Sequence, residues 1–205
     1  RRIGFGTSMR AVIAALALAA LASLLVAPAS VPSVAFEEVA AASGIKFVTN
    51  SGRSPRRHQP ETMVAGIALF DYDNDGKLDV FLTNGAQMAE LDKKEPVFWN
   101  RLYHNLGDWK FEDVTEKAGL KGHGYDNGVA TGDFDNDGFT DLFVAGLKDN
   151  VLYRNKGYGT FEDVTLTAGL KKPDPDYGTL WSVAAAFFDY DKDGTVWRLP
   201  VDGSP

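Results

Sequence analysis

The apolar positions of this chain come in short bursts separated by turn-forming residues. Gly66-Ile-Ala-Leu-Phe70, Leu78-Asp-Val-Phe-Leu82, Gly128-Val-Ala-Thr-Gly132, Thr140-Asp-Leu-Phe-Val144 and Ser182-Val-Ala-Ala-Ala-Phe-Phe188 are bounded by Gly, Asn and Asp. Runs this short and this rich in β-branched and aromatic residues predict strands, not helices. The bursts also repeat. Asn100-Arg-Leu-Tyr-His-Asn105 matches Asn150-Val-Leu-Tyr-Arg-Asn155, Phe111-Glu-Asp-Val-Thr115 matches Phe161-Glu-Asp-Val-Thr165, and Ala118-Gly-Leu120 matches Ala168-Gly-Leu170. A worn earlier copy is Phe36-Glu-Glu-Val-Ala40 with Ser43-Gly-Ile45; in all three copies Phe precedes Gly by eight residues.

Length differences between copies fall in turn-like segments. Asp71 to Phe111 is 40 residues and Asp133 to Phe161 is 28, the extra 12 lying between Asn84 and Asn100 around the polar stretch Glu90 to Glu95. Another six lie in Lys171-Lys-Pro-Asp-Pro-Asp176. Each unit therefore offers about four strands. Antiparallel four-stranded units repeated along a chain describe propeller blades, which must stack to bury their faces. The expected class is all-β: a partial β-propeller with about two complete blades plus part-blades. Recurrence of Tyr103, Tyr153, Phe111 and Phe161 at equivalent positions predicts an inter-blade core.

The candidate chemistry sits in three acidic loops, each following a predicted strand. They are Asp71-Tyr-Asp73-Asn-Asp75-Gly76-Lys-Leu-Asp79, Asp133-Phe-Asp135-Asn-Asp137-Gly138-Phe-Thr-Asp141 and Asp189-Tyr-Asp191-Lys-Asp193-Gly194. The spacings are 62 residues from Asp71 to Asp133 and 56 from Asp133 to Asp189. Carboxylates at loop positions 1, 3 and 5 repel one another unless a cation sits among them, and hard oxygen ligands at this spacing suit Ca²⁺. The backbone carbonyl of position 7, in Lys77 or Phe139, would add an oxygen, and Asp79 or Asp141 at position 9 would close the shell. The third loop has Trp197 at position 9, so only Asp189, Asp191 and Asp193 remain. An EF-hand would need Glu at position 12 and flanking helices; position 12 here is Leu82, Val144 or Pro200. The competing reading is an Asp/Gly-rich hairpin turn without metal.

Composition sharpens this picture. The chain carries a net charge of −7, which argues against a nucleic-acid partner. The three loops hold eleven of its 28 acids, leaving 17 against 21 bases. Acidity is thus concentrated where a cation would need it. Cysteine is absent, so disulfides, thiolate metal sites and cysteine nucleophiles are excluded. His58, His104 and His123 are dispersed and read as surface or turn residues. The basic cluster Arg53, Arg56, Arg57 and His58 reads as a solvated linker. No Gly-x-Ser-x-Gly setting or phosphate-binding loop appears.

At the N-terminus, Arg10 precedes the apolar run Ala11 to Ala27, followed by Ala27-Pro28-Ala29. This order of basic, apolar and small residues predicts an N-terminal hydrophobic helix serving as a secretory signal over residues 1–29, with a membrane anchor as the alternative. Met9 would make a better natural start. Residues 30–62 then form a mature segment with a half-repeat, and 63–205 the blades. The expected location is exported: periplasmic, cell-surface or extracellular. Membrane contact is expected only through an uncleaved N-terminal segment. After Gly194 the pattern fails, which reads as truncation or an altered reading frame.

The repeats resemble FG-GAP/VCBS repeats, carried by the loops, by Asn100 to Asn105 and by Phe111 to Leu120 with its copy Phe161 to Leu170. With His58-Gln-Pro-Glu-Thr-Met63, the stretch from Phe36 to Gly194 resembles exported bacterial proteins that carry such repeats ahead of an ASPIC/UnbV domain, related to cartilage acidic protein. The resemblance implies a Ca²⁺-stabilised propeller of seven or eight blades in a full protein; later blades and an ASPIC/UnbV segment are lacking here. The expected function is a non-catalytic binding or adhesion module for a protein or glycan. The alternatives are part of a propeller-containing carbohydrate-active lyase or dehydratase, and a truncated, nonfunctional gene product.

Overall fold

The computed structural model describes residues 34–170 and 181–189. Two units are distinguished, Arg1–Glu37 and Glu38–Pro205, and the fold below is that of the second. It is all-β, with short helical turns at Ala40–Ser43 and Thr115–Ala118. Strands β1 (Ile67–Phe70), β2 (Asp79–Leu82), β3 (Arg101–Gly107) and β4 (Lys110–Asp113) form one antiparallel sheet in chain order. Strands β5 (Tyr125–Gly132), β6 (Asp141–Leu147), β7 (Val151–Asn155) and β8 (Phe161–Asp163) form a second sheet of the same order. The four-strand repeat unit predicted from the sequence is what folds.

Register shows why the two copies superpose in function. Phe70 pairs with Asp79 in the first hairpin and Gly132 with Asp141 in the second, so each acidic loop closes its hairpin at the same step. Across the first sheet Ala68, Phe81 and Leu102 align; across the second Val129, Val144 and Val151 align. Side chains alternate between faces along a strand, so these rows each define one face. The two faces meet. Phe70, Tyr72, Phe81, Leu102 and Leu120 of the first repeat pack with Leu142, Val144, Val151, Tyr153 and Phe161 of the second in one buried cluster. Phe161 stands edge-on to Phe70 with centroids 6.4 Å apart and stacks on Tyr72 at 6.5 Å. Each such side chain contributes about 1.5–3 kcal/mol by leaving water.

The predicted inter-repeat aromatics divide accordingly. Tyr153 and Phe161 belong to the cluster between the sheets. Tyr103 is buried too, but it lies in the row of Leu69 and Val80 on the opposite face of the first sheet; Phe111 is only half-buried. The copies of Ala-Gly-Leu form the cap of a helical turn: Gly119 follows Thr115–Ala118, and Gly44 follows Ala40–Ser43 in the worn copy, both left-handed. Phe36, expected to mirror Phe111 and Phe161, belongs to the first unit.

One predicted strand lacks its expected partner among the described residues. Among the described residues Ser182–Phe188 forms no ladder, though Trp181 bridges to Leu147 and Ser182 N–H donates to Gly146 O at 3.0 Å. A strand is defined by its partner, and the return arm of this hairpin lies outside the described residues. Phe187 nevertheless packs edge-on against Phe143 of β6, with centroids 6.5 Å apart. The N-terminal segment 1–29 and the third-loop residues Asp191 and Asp193 also lie outside the described residues. Among the described residues no helix is long and apolar enough to cross a membrane.

The 12-residue insertion carries one unexpected anchor. Lys93, read as part of a polar surface stretch, is buried, and its Nζ donates to the carbonyls of Asn84, Gly85 (2.8 Å) and Phe98 (3.0 Å). Asp126 of β5 lies 3.5 Å away and is also buried. Burial holds the Lys93 ammonium below its usual pKa and pushes the Asp126 carboxyl above its own. The insertion is thereby pinned to the second repeat.

Candidate metal centre

Each acidic loop is shaped by its own aspartates. In the first, Asp71 accepts from the backbone N–H of Asp75 (Oδ1, 3.1 Å) and of Gly76 (Oδ2, 2.8 Å), and Asp75 Oδ1 accepts from Lys77 N–H at 2.9 Å. The second repeats this: Asp133 accepts from Asp137 (3.1 Å) and Gly138 (2.8 Å), and Asp137 from Phe139 (3.0 Å). The bend needs left-handed backbone at positions 4 and 6, found at Asn74 (φ 60°) and Gly76 (φ 84°), and at Asn136 (φ 58°) and Gly138 (φ 88°). A methyl group at Gly76 or Gly138 would meet nothing within 4 Å. Glycine is therefore required there by conformation, not by space.

The position-9 aspartates come from β2 and β6 and reach back under the loops. Asp79 Oδ2 accepts from Tyr72 N–H (3.1 Å) and Oδ1 from Asn105 N–H (2.8 Å); Asp141 accepts likewise from Phe134 (2.9 Å) and Asn155 (2.7 Å). Both are fully buried. Burial pushes the Asp79 carboxyl up, and that of Asp141 up to about 6, with the carboxylates of Asp135 and Asp137 adding to the rise in the second loop. Burial, with the neighbouring carboxylates adding to it, also raises the Tyr72 phenol to about 12.

In two loops the aspartates of positions 1, 3 and 9 come together. One oxygen each from Asp71, Asp73 and Asp79 lies within 4.8 Å of the others, and the same holds for Asp133, Asp135 and Asp141. Asp75 and Asp137 stand at the rims: Asp75 pairs with Lys77, and Asp137 with Arg154 at 3.1 Å. Asp189 is described, but its loop partners are not. The observation that tests the fit of a cation is at position 3. Asp73 Oδ1 and Asp135 Oδ1 are buried without a hydrogen-bond partner. A carboxylate oxygen kept from water with no donor is costly. That the same atom is left over in both copies, on a carboxylate grouped with two others, fits a bound cation. Such acidic clusters can bind a metal ion, and their donor set is hard oxygen.

Two residues the sequence reading passed over also belong to the loops. His104 of β3, read as a surface or turn residue, is only 19 % exposed at its side chain, with Nδ1 3.2 Å from Asp79 Oδ1 and 3.6 Å from Asp73 Oδ2. Its repeat-equivalent Arg154 places Nε 2.6 Å from Asp135 Oδ2. The signal was available: both precede the Asn of the matched segments, on the strand that pairs beside the position-9 aspartate. The loops also touch each other, since Asn74 Nδ2 donates to Gly138 O at 3.1 Å and Asn155 Nδ2 to Tyr72 O at 2.8 Å.

A family model described as the FG-GAP-like repeat matches residues 71–144 and again 133–196, together more than half of the chain. No curated protein matches it. The two matches overlap across the second loop and β6, in step with the loop-to-loop repeat read from the sequence. The chain belongs to the FG-GAP-like repeat family.

Proposed function

We propose that this protein is a non-catalytic, Ca²⁺-stabilised propeller module of an exported protein, presenting its connecting loops to a protein or glycan ligand. The observation that carries the reading is the unpartnered, buried Oδ1 of Asp73 and of Asp135, each on a carboxylate grouped with two more in equivalent loops. Asp71, Asp73, Asp75 and Asp79, with the Lys77 carbonyl, would hold one ion; Asp133, Asp135, Asp137 and Asp141, with the Phe139 carbonyl, would hold the other. Asp189, Asp191 and Asp193 would give a third, weaker site. The ion neutralises the carboxylates and fixes the loop. Seven or so oxygens suit Ca²⁺ better than Mg²⁺, which keeps its waters.

The carboxylates support a structural role over catalysis because they are committed: Asp71, Asp75, Asp79 and their copies all accept backbone N–H bonds inside their own loops or from the adjacent strand. Export is supported by the N-terminal basic, apolar and small-residue order and by the resemblance to exported ASPIC/UnbV proteins. Terbium luminescence tests the cation reading, since Tyr72 lies between two ligands and can sensitise a bound lanthanide. The expected result is a Tb³⁺ signal displaced by Ca²⁺. No signal, or one that Ca²⁺ leaves unchanged, counts against it. Turnover of a polysaccharide, abolished by Asp73→Ala with the fold intact, would favour the lyase or dehydratase reading instead.

A further inference from the structure

The two loops are near-copies in their aspartates but differ at the residue that leans on them from the third strand of each sheet. We propose that His104 makes the first loop a mixed nitrogen–oxygen site able to hold a first-row transition-metal dication such as Zn²⁺, and that Arg154 bars the second loop from doing so. The inference rests on the loops being cation sites and deepens that reading by assigning them different metals.

Three observations carry it. First, one donor atom each of His104, Asp73 and Asp75 lie within 4.8 Å of one another, a three-donor group that overlaps the all-oxygen set of Asp71, Asp73 and Asp79 at Asp73. Secondly, the imidazole is held. It stands edge-on to Tyr72, with centroids 5.7 Å apart and rings at 79°, and its Nδ1 faces the loop carboxylates. Thirdly, Asp73, which is shared by both groups, has its Oδ1 buried and without a partner. Imidazole suits zinc, copper, iron and nickel, whereas carboxylate and carbonyl oxygens suit calcium, so one nitrogen donor changes which metals the loop accepts. Lys77, paired with Asp75, must release it; its side chain is 42 % exposed and can turn to solvent.

The second loop has no such option. Arg154 Nε is 2.6 Å from Asp135 Oδ2, and Nη2 is 3.1 Å from Asp137 Oδ2. A guanidinium offers only donors and cannot ligate a metal. It leaves the second loop an all-oxygen site without the nitrogen donor that favours Zn²⁺, and at about 5 Å its fixed charge weakens any dication there, Ca²⁺ included, on the order of tenfold in near-aqueous surroundings.

The test is titration calorimetry of the full chain with Zn²⁺ and, separately, with Ca²⁺, for the wild type, His104→Gln and Arg154→His. The expected result is one Zn²⁺ equivalent in the wild type, weakened at least about tenfold by His104→Gln, with Ca²⁺ affinity changed much less. Arg154→His, which transplants the first loop's residue, should add a second Zn²⁺ equivalent. Equal Zn²⁺ binding in the wild type and His104→Gln, with normal Ca²⁺ binding, overturns this inference and leaves the calcium reading standing. A single Zn²⁺ equivalent in Arg154→His overturns the role given to Arg154. Failure of both metals to bind overturns both readings.

Discussion

Raising the pH should weaken the metal-free protein and strengthen the response to Ca²⁺, and the reason lies chiefly at Asp141. Its carboxyl is fully buried and stands at about 6 in the fold against an ordinary 3.8, through burial first and the neighbouring aspartates second. A folded-state value above the unfolded one means that the native state binds the proton more tightly. The corresponding stability is fully present below about pH 4 and is lost as pH rises through about 6. A gap of about two units corresponds to about 3 kcal/mol. Asp79 shifts in the same direction. Asp75 and Glu61 are shifted down by Lys77 and Ser54, which would favour the fold at higher pH, but both are exposed and screened. A cation binds only the ionised cluster, so its stabilisation should grow over the same window, to about 2.7 kcal/mol at a hundredfold excess over Kd. The assay is urea unfolding followed by tryptophan fluorescence between pH 4.5 and 7.5, in chelator and in Ca²⁺. Asp141→Asn cannot ionise, so the difference between wild type and variant isolates this group. Wild type should lose stability relative to the variant in chelator as pH rises, and regain it in Ca²⁺. A chelator curve that rises with pH relative to the variant, with a Ca²⁺ increment constant across the range, would refute the reasoning.

Further outcomes follow from packing and charge. Phe161→Ala, which empties the contact with Phe70 and Tyr72, should cost about 3–5 kcal/mol in urea unfolding, and clearly more than Phe111→Ala at the half-buried equivalent position. Gly76→Ala should cost about 1–2 kcal/mol through its left-handed backbone alone, since nothing crowds the added methyl; a thermal melt in chelator measures it. Lys93→Met should cost about 3–5 kcal/mol by leaving Asp126 buried without its cation, and a second change, Asp126→Leu, should recover much of that loss in the same urea experiment.

The sequence made the repeat, the strand count and the acidic loops legible because each rests on local chemistry. Gly76 and Gly138 mark the bend, and the aspartates recur in step with short apolar strands. What it hid was pairing. That Phe161 packs between sheets while Phe111 is only half-buried depends on which face meets a neighbour, and the shared spacing of eight residues cannot show this. His104 and Arg154 look like ordinary polar positions until β2 and β3, or β6 and β7, are paired and bring them beside Asp79 and Asp141. Lys93 sits in a run of charge that reads as solvated, yet its stem passes inward to three carbonyls and Asp126.

The most direct test of the central claim is differential scanning calorimetry of the folded, full-length protein at pH 7.5, with Ca²⁺ and then with EDTA. The account predicts a clear fall in melting temperature on chelation, restored by added Ca²⁺ and diminished in Asp73→Ala. An unchanged melting temperature in EDTA would contradict it, and would leave the acidic loops as hairpin turns that hold no structural ion.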